Sequence, residues 1–245
     1  MVKNRNLAKC RGIVLVSKGV EKSMGTLSLH IGEITNNQPF CAGVVLTREN
    51  CLPVTLNIDG LPKDMENTCW RVGGVGGGQE LGESVWDCAL REAKEELSTG
   101  VNLLHSPVTY FHDKDTKRLY QVSVMDRPAP LLLERVANPN PCQPYAPGLP
   151  TGPYIYFALF LAELEDWSKR CPGDDVKGLL LCPIDQWHKV ESGIELSKLI
   201  EVGAPGLDLN RQLWLPKDES FSTITRILKE NKEIRKMNEE NRPLE

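Results

Sequence analysis

Apolar positions along this chain alternate between two periods, and the changes of period lay out its elements. Short runs at Gly12–Val16 and Thr26–Ile34 read as strands paired through the Lys18–Gly25 connection. Phe40–Thr47 (FCAGVVLT) is almost continuously apolar, as expected of a strand buried on both faces. Leu52–Ile58 follows as a further strand, with Pro53 weakening its start. Trp70-Arg71-Val72 then runs into Gly73-Gly74-Val75-Gly76-Gly77-Gly78. Such a backbone can take positive φ and lets a ligand approach closely.

The period next shifts to 3.6. Val85, Trp86, Ala89, Leu90, Ala93 and Leu97 fall on one stripe, and Ser84 with Asp87 forms a capping box before it. Gly100 is the expected stop. At 3.6 residues per turn Glu92 and Glu96 fall beside the edge of the stripe, with Glu95 next to Glu92. Beyond the helix Leu119–Met125 reads as a strand. The prolines between Arg127 and Tyr154 predict an irregular insert without helix or ladder, and Leu131, Leu132, Leu133 and Tyr145 make it a packed one. Tyr154–Leu164 is the strongest strand, Gly178–Cys182 another, and a short helix starts near Asp185. Ser220–Glu240 reads as a helix with Phe221, Ile224, Ile227, Leu228, Ile234 and Met237 inward, packed on the domain in preference to a partner. Strands mixed with two or three helices predict a layered α/β fold.

Composition narrows the function. The 245 residues are 40% hydrophobic and 25% charged, with net charge -4 and an isoelectric point near 5.7, which argues against generic nucleic-acid binding. No apolar run approaches the roughly 18 residues of a membrane span, and Ile13–Val16 is too short a core for a signal peptide. Eight cysteines without a CxxC pair disfavour structural zinc and read as small buried hydrophobes in a reducing cytoplasm. His30, His105, His112 and His188 stand apart from one another and read as ordinary surface or core residues.

The chemistry concentrates in Gly77-x5-Glu83-x7-Arg91-Glu92-Ala93-Lys94-Glu95-Glu96. Carboxylates this close on a helix repel, by a few tenths of a kcal/mol per pair, unless a cation sits among them. An isolated REAKEEL would read as a solvated face. In register with Gly77 and Glu83 it reads as a divalent-metal site, and the adjoining glycine loop points to a phosphate-bearing substrate. A P-loop is rejected, because Glu83 follows Gly82 where Lys-Ser/Thr would be needed.

This spacing resembles the signature box of the Nudix hydrolases, and the resemblance extends over roughly Gln38 to His188. It implies an α/β/α sandwich with a mixed β-sheet over residues 1–216. Extra N-terminal strands (1–35), the proline-rich insert (127–153) and a C-terminal helix (217–245) are additions. It implies hydrolysis of a nucleoside diphosphate linked to another moiety, with Mg2+ or Mn2+ as cofactor, a small nucleotide-derived substrate, no membrane partner, and the homodimer frequent among relatives. Glu92 and Glu96 would be the principal metal ligands, with Glu95 sharing or bridging. Arg91 would orient the box glutamates, with Glu83 as its partner or an outer ligand. Gly76, Gly77 and Gly78 would meet the substrate, and a carbonyl of Gly76 or Gly77 would complete the metal shell. Arg71 is either a phosphate contact or a strand-edge arginine, and Glu80 matches a structural acidic position. The general base stays open among Glu95, Glu96, Asp174 and Asp175, the last two reading otherwise as a turn pair. The chain departs from the box at Ser98, where glycine is usual, which predicts a slightly longer helix, and at Val75, where proline is usual. The insert's position points to a wall of the leaving-group pocket. A Nudix-fold sensor that binds a nucleotide without turnover is the alternative; three clustered carboxylates favour catalysis.

Overall fold

The structure is a computed structural model and describes residues 28–173, 176–199, 207–217 and 219–235. In chain order the elements are β1 (Ser28–Leu29), α1 (Ile31–Thr35), β2 (Phe40–Val45), β3 (Cys51–Asn57), β4 (Cys69–Gly73), β5 (Val75–Gly78) and α2 (Val85–Leu97). There follow β6 (Val101–Leu104), β7 (Thr109–Asp113), β8 (Arg118–Val124), β9 (Leu132–Ala137), β10 (Tyr154–Leu164) and β11 (Gly178–Pro183). The chain continues with α3 (Trp187–Glu191), β12 (Gln212–Trp214) and α4 (Ser220–Glu230). The strands form two mixed sheets: an eight-stranded one, ordered β1-β8-β7-β9-β10-β2-β5 with β6 also on β10, and a four-stranded one, ordered β11-β3-β4-β12.

Strand β10 shows why the larger sheet lies in the middle. Its side chains alternate with period two: Ala158, Phe160 and Ala162 enter a core shared with α2, while Leu159 and Leu161 enter another shared with β3, β4, α3 and α4. A strand covered on both faces carries apolar side chains on both, which is the pattern of its sequence from Tyr154 to Ala162. β2 lies parallel to β10 and antiparallel to β5, so the glycine run forms one edge of this sheet and the helix that follows it packs on β2 and β5. The C-terminal helix joins the second core through Phe221, Ile224, Ile227 and Leu228.

Several expectations give way. Of the described part of the predicted Thr26–Ile34 strand, only Ser28–Leu29 pairs as a strand; Ile31–Thr35 is helical, burying Ile31 and Thr35 one turn apart with Asp126 Oδ2 accepting from Ile31 N at 2.6 Å. The Gly12–Val16 strand lies outside the described residues. Most of the glycine run is strand, not free loop: Gly73 ends β4, Val75–Gly78 is β5, and only Gly74 lies between them. The predicted insert contains β9, a central strand: no proline interrupts residues 131–138, so the ladder can form there, and the irregular parts are 127–131 and 138–153. β7 escaped the sequence reading because it is buried on both faces and shows no alternation. The stripe of α2 is Val85, Cys88, Ala89, Ala93 and Leu97, with Leu90 turned outward.

The ends of α2 differ from each other. The capping box is present, with Ser84 Oγ accepting from Asp87 N at 3.2 Å and Asp87 Oδ2 accepting from Ser84 N at 3.2 Å. The predicted extension toward Gly100 is absent: α2 stops at Leu97, and Ser98 itself takes the left-handed conformation, φ 55°. Likewise α4 ends at Glu230, where Asn231 leaves the helical region, and a further helical turn follows at 232–235. Met237 lies outside the described residues.

Candidate active site

Close packing of backbone on helix builds the site. Gly76 in β5 has φ 151°, and a Cβ there would stand 2.5 Å from Gly43 Cα and 2.6 Å from the Ala42 oxygen. A Cβ on Gly77 would stand 2.5 Å from the carboxylate of Glu92. Only glycine lets β5 lie this close to β2 on one side and α2 on the other. The Gly76 N–H donates to Glu96 Oε2 at 2.8 Å, so the two glycines lie between carboxylates one helical turn apart.

Arg91 gathers the remaining acids. Its Nε donates to Glu83 Oε1 at 2.7 Å, its Nη2 to Glu83 Oε2 at 3.1 Å and to the Gly78 carbonyl at 2.8 Å, and its Nη1 to Glu92 at 2.8 Å and Glu95 at 2.9 Å. A planar guanidinium can serve so many acceptors at once; an ammonium cannot. Glu83 also accepts from Glu80 N at 2.8 Å, tying the glycine loop to the helix.

The electrostatics divide the cluster. Hydrogen bonding to Arg91, outweighing burial, holds the Glu83 carboxyl below its ordinary value. Burial, aided by the charges of Glu95 and Glu83, pushes Glu92 up although Arg91 pulls it down. Arg91 is held more firmly protonated than usual, chiefly by Glu83. Cys41, beside Glu92, is pushed up to about 11 by burial and by that carboxylate, so its thiol stays protonated.

Among the described residues no three His, Cys, Asp or Glu side chains converge as a finished metal cage. Glu83, Glu92 and Glu95 meet on Arg91, and Glu96 turns to Gly76 N. The donor chemistry nevertheless fits a hard divalent cation: the ligating atoms on offer are carboxylate and carbonyl oxygens. Three carboxylates share one guanidinium, and the upward push on Glu92 is what a nearby cation would reverse.

Two cavities meet at this point. One, of about 590 Å³, is lined by Gly76, Gly77, Glu96, Arg71, Lys114 and Glu219, among others. The other, of about 760 Å³, is lined by Gly78, Arg91 and Glu92 and by residues of the proline-rich insert. Gly78, Cys41 and Phe157 lie in one cross-strand row, and Cys41 and Phe157 face both cavities. Glu92 and Glu96 thus open into adjoining spaces, while Glu95 is half exposed on Arg91. Asp174 and Asp175 lie outside the described residues; just before them, Gly173 N donates to the Glu96 carbonyl at 3.0 Å, closing the end of α2.

Sequence reasoning missed Glu134. It continues the same row, opposite Phe157 and His112, and is fully buried. His112 Nδ1 lies 2.7 Å and Lys114 Nζ 2.8 Å from its oxygens, and the Ser220 hydroxyl donates to it, so one carboxylate joins β7, β9 and the start of α4. A glutamate directly after the apolar run Leu131–Leu133 was the available signal.

Residues 38–142 match the NUDIX domain family model. A search of curated proteins found no match. Among solved structures, a NUDIX hydrolase from Nitrosomonas europaea is 16% identical over 59% of this chain, with TM-score 0.34, and the match spans only 57% of that chain. An ADP-ribose pyrophosphatase from Streptococcus suis is 15% identical over 60% of this chain and 75% of its own, with TM-score 0.35. An Ap4A hydrolase from C. elegans is 16% identical over 66% and 91% respectively, with TM-score 0.36. No helix among the described residues is long and apolar enough to cross a membrane.

Proposed function

We propose, from the premise that residues 38–142 of this chain form a NUDIX domain, that it hydrolyses the pyrophosphate bond of a nucleoside diphosphate linked to another moiety. The observation that carries the reading is the pair Glu92 and Glu96, set on either side of Gly76–Gly77 where two cavities adjoin. Glu92, Glu95 and Glu96, with a carbonyl of the glycine run, would hold Mg2+ or Mn2+. The bound cation would neutralise phosphate charge and lower the pKa of a bound water.

The chain's own residues account for the rest. Arg91 fixes the rotamers of Glu92 and Glu95, and Glu83 fixes Arg91 in turn. Gly76 N–H aims Glu96, and the missing side chains at Gly76 and Gly77 let this backbone pack directly against Gly43 and the Glu92 carboxylate, which sets the glycine run beside the acids. Arg71 and Lys114 line the adjoining cavity and raise its affinity for an anionic group. Water adds to phosphorus, the anhydride P–O bond breaks, and the departing phosphate leaves with the bond's electrons. The water's proton passes to a carboxylate, with Glu95 and Glu96 the described candidates. Positioning and charge stabilisation supply most of the acceleration in such a reaction.

The test is a panel of nucleoside diphosphate derivatives incubated with the pure protein and Mg2+ or Mn2+, products being resolved by anion-exchange chromatography. Cleavage of at least one, abolished in a folded Glu96→Gln variant, is expected. Tight binding of one compound with no product from any would favour the sensor reading. Wild-type rates in Glu96→Gln would remove Glu96 from the site.

A further inference from the structure

The larger cavity has an unusual mouth. Tyr145 and Leu81 are 94% and 74% exposed, the two most exposed of the large apolar side chains among the described residues, and both line the same space. One comes from the proline-rich insert and the other from the loop before α2. Nothing in the fold holds such groups in water for its own stability, and burying either would be favourable by a kilocalorie or more per mole on the general scale of apolar transfer. The same cavity, by contrast, is also lined by the charged groups Arg91 and Glu92. Its volume of about 760 Å³ lies in the range of small-molecule sites.

The insert is built to hold its place. Asn138 clips its base, donating through N to the Pro153 carbonyl and through Nδ2 to the Gly152 carbonyl, both at 2.9 Å. Leu149 N donates to the Ala146 carbonyl at 3.1 Å, closing a turn around Gly148, which has φ 88°. A Cβ on Gly148 would lie 3.2 Å from Leu81 Cδ1, so the turn sits directly on the loop that leads into the acidic helix. Prolines at 139, 141, 144, 147, 150 and 153 restrict the segment's backbone, so little freedom is lost when a ligand settles against it.

We propose that this insert determines specificity at the proposed site, Tyr145 stacking on the nucleobase of the substrate with Leu81 bearing on its other side. The phosphates then lie toward Arg91 and Glu92. This deepens the pyrophosphohydrolase reading and rests on it for the orientation of the substrate. A flat aromatic group is the ligand chemistry that an exposed tyrosine ring on a proline-stiffened wall fits best.

Binding is measured by isothermal titration in excess Mg2+, the methylene bridge of each probe excluding turnover. The probes are adenosine 5′-(α,β-methylene)diphosphate and methylenediphosphonate, which lacks the nucleoside. Tyr145→Ala is expected to weaken the nucleoside probe roughly tenfold or more, the usual scale for losing one base–aromatic stack. Tyr145→Phe restores binding, and the diphosphonate is indifferent to both changes. Equal affinity of Tyr145→Ala and wild type for the nucleoside probe overturns the proposal, as does failure of wild type to prefer it over the diphosphonate. Hydrolysis by wild type with an unchanged KM in Tyr145→Ala removes this proposal alone. Tyr145-dependent binding without any turnover removes the catalytic reading alone.

Discussion

Replacing Arg91 with alanine removes the hydrogen bonds to Glu83, Glu92, Glu95 and the Gly78 carbonyl in one step. The Glu95 pair is half exposed and is worth no more than about 0.5 kcal/mol. The Glu83 and Glu92 pairs differ, because Arg91 retains 21% side-chain exposure and its partners only 15% and 14%. Breaking a fully buried pair costs about 3–5 kcal/mol, and partial access of water lowers that range. A loss of about 3 kcal/mol is therefore expected, and about 1–2 kcal/mol for Arg91→Lys, whose single ammonium cannot span the acceptors. The assay is urea denaturation in EDTA across pH. Glu83 is depressed below its ordinary 4.5, so its pairing stabilises the fold above that value and is lost as pH falls through the folded-state value. Glu92 runs the other way: raised above 4.5, it weakens the fold increasingly as pH rises past that point, and more so once Arg91 is gone. Both effects make the Arg91→Ala penalty largest near neutrality and smaller as pH falls through the depressed Glu83 value. A penalty under about 0.5 kcal/mol, or one that does not vary with pH, would refute the hub.

Two further outcomes concern the frame. Ser98→Gly, which relieves a left-handed non-glycine residue at the end of α2, is expected to stabilise by about 1 kcal/mol in the same denaturation assay. Glu134→Ala leaves Lys114 beside a buried gap and severs β9 from Ser220, so a loss of about 3 kcal/mol is expected, accompanied by earlier hydrogen exchange in α4 than in α2.

Legibility in the sequence followed physical cause. The run from Tyr154 to Leu164 was readable because burial on both faces calls for apolar side chains on both, and the start of α2 because a capping box is local chemistry. The insert was read too widely, since proline density was averaged over a segment whose residues 131–138 contain none. The end of α2 was misjudged because glycine is only the preferred occupant of a left-handed cap; Ser98 pays the steric cost instead. The box glutamates could be found by spacing, yet spacing does not reveal that Arg91 gathers three of them, nor that Glu92 and Glu96 open into different cavities. Glu134 required knowing that β7, β9 and α4 meet, a matter of tertiary contact alone.

The central claim is that the acids of α2 hold a divalent cation. Electron paramagnetic resonance of Mn2+ titrated into the protein tests it most directly. Wild type is expected to take up the ion at a site competed by Mg2+, and Glu92→Gln and Glu96→Gln, both folded, to lose it. Undiminished Mn2+ uptake in both variants would contradict the account.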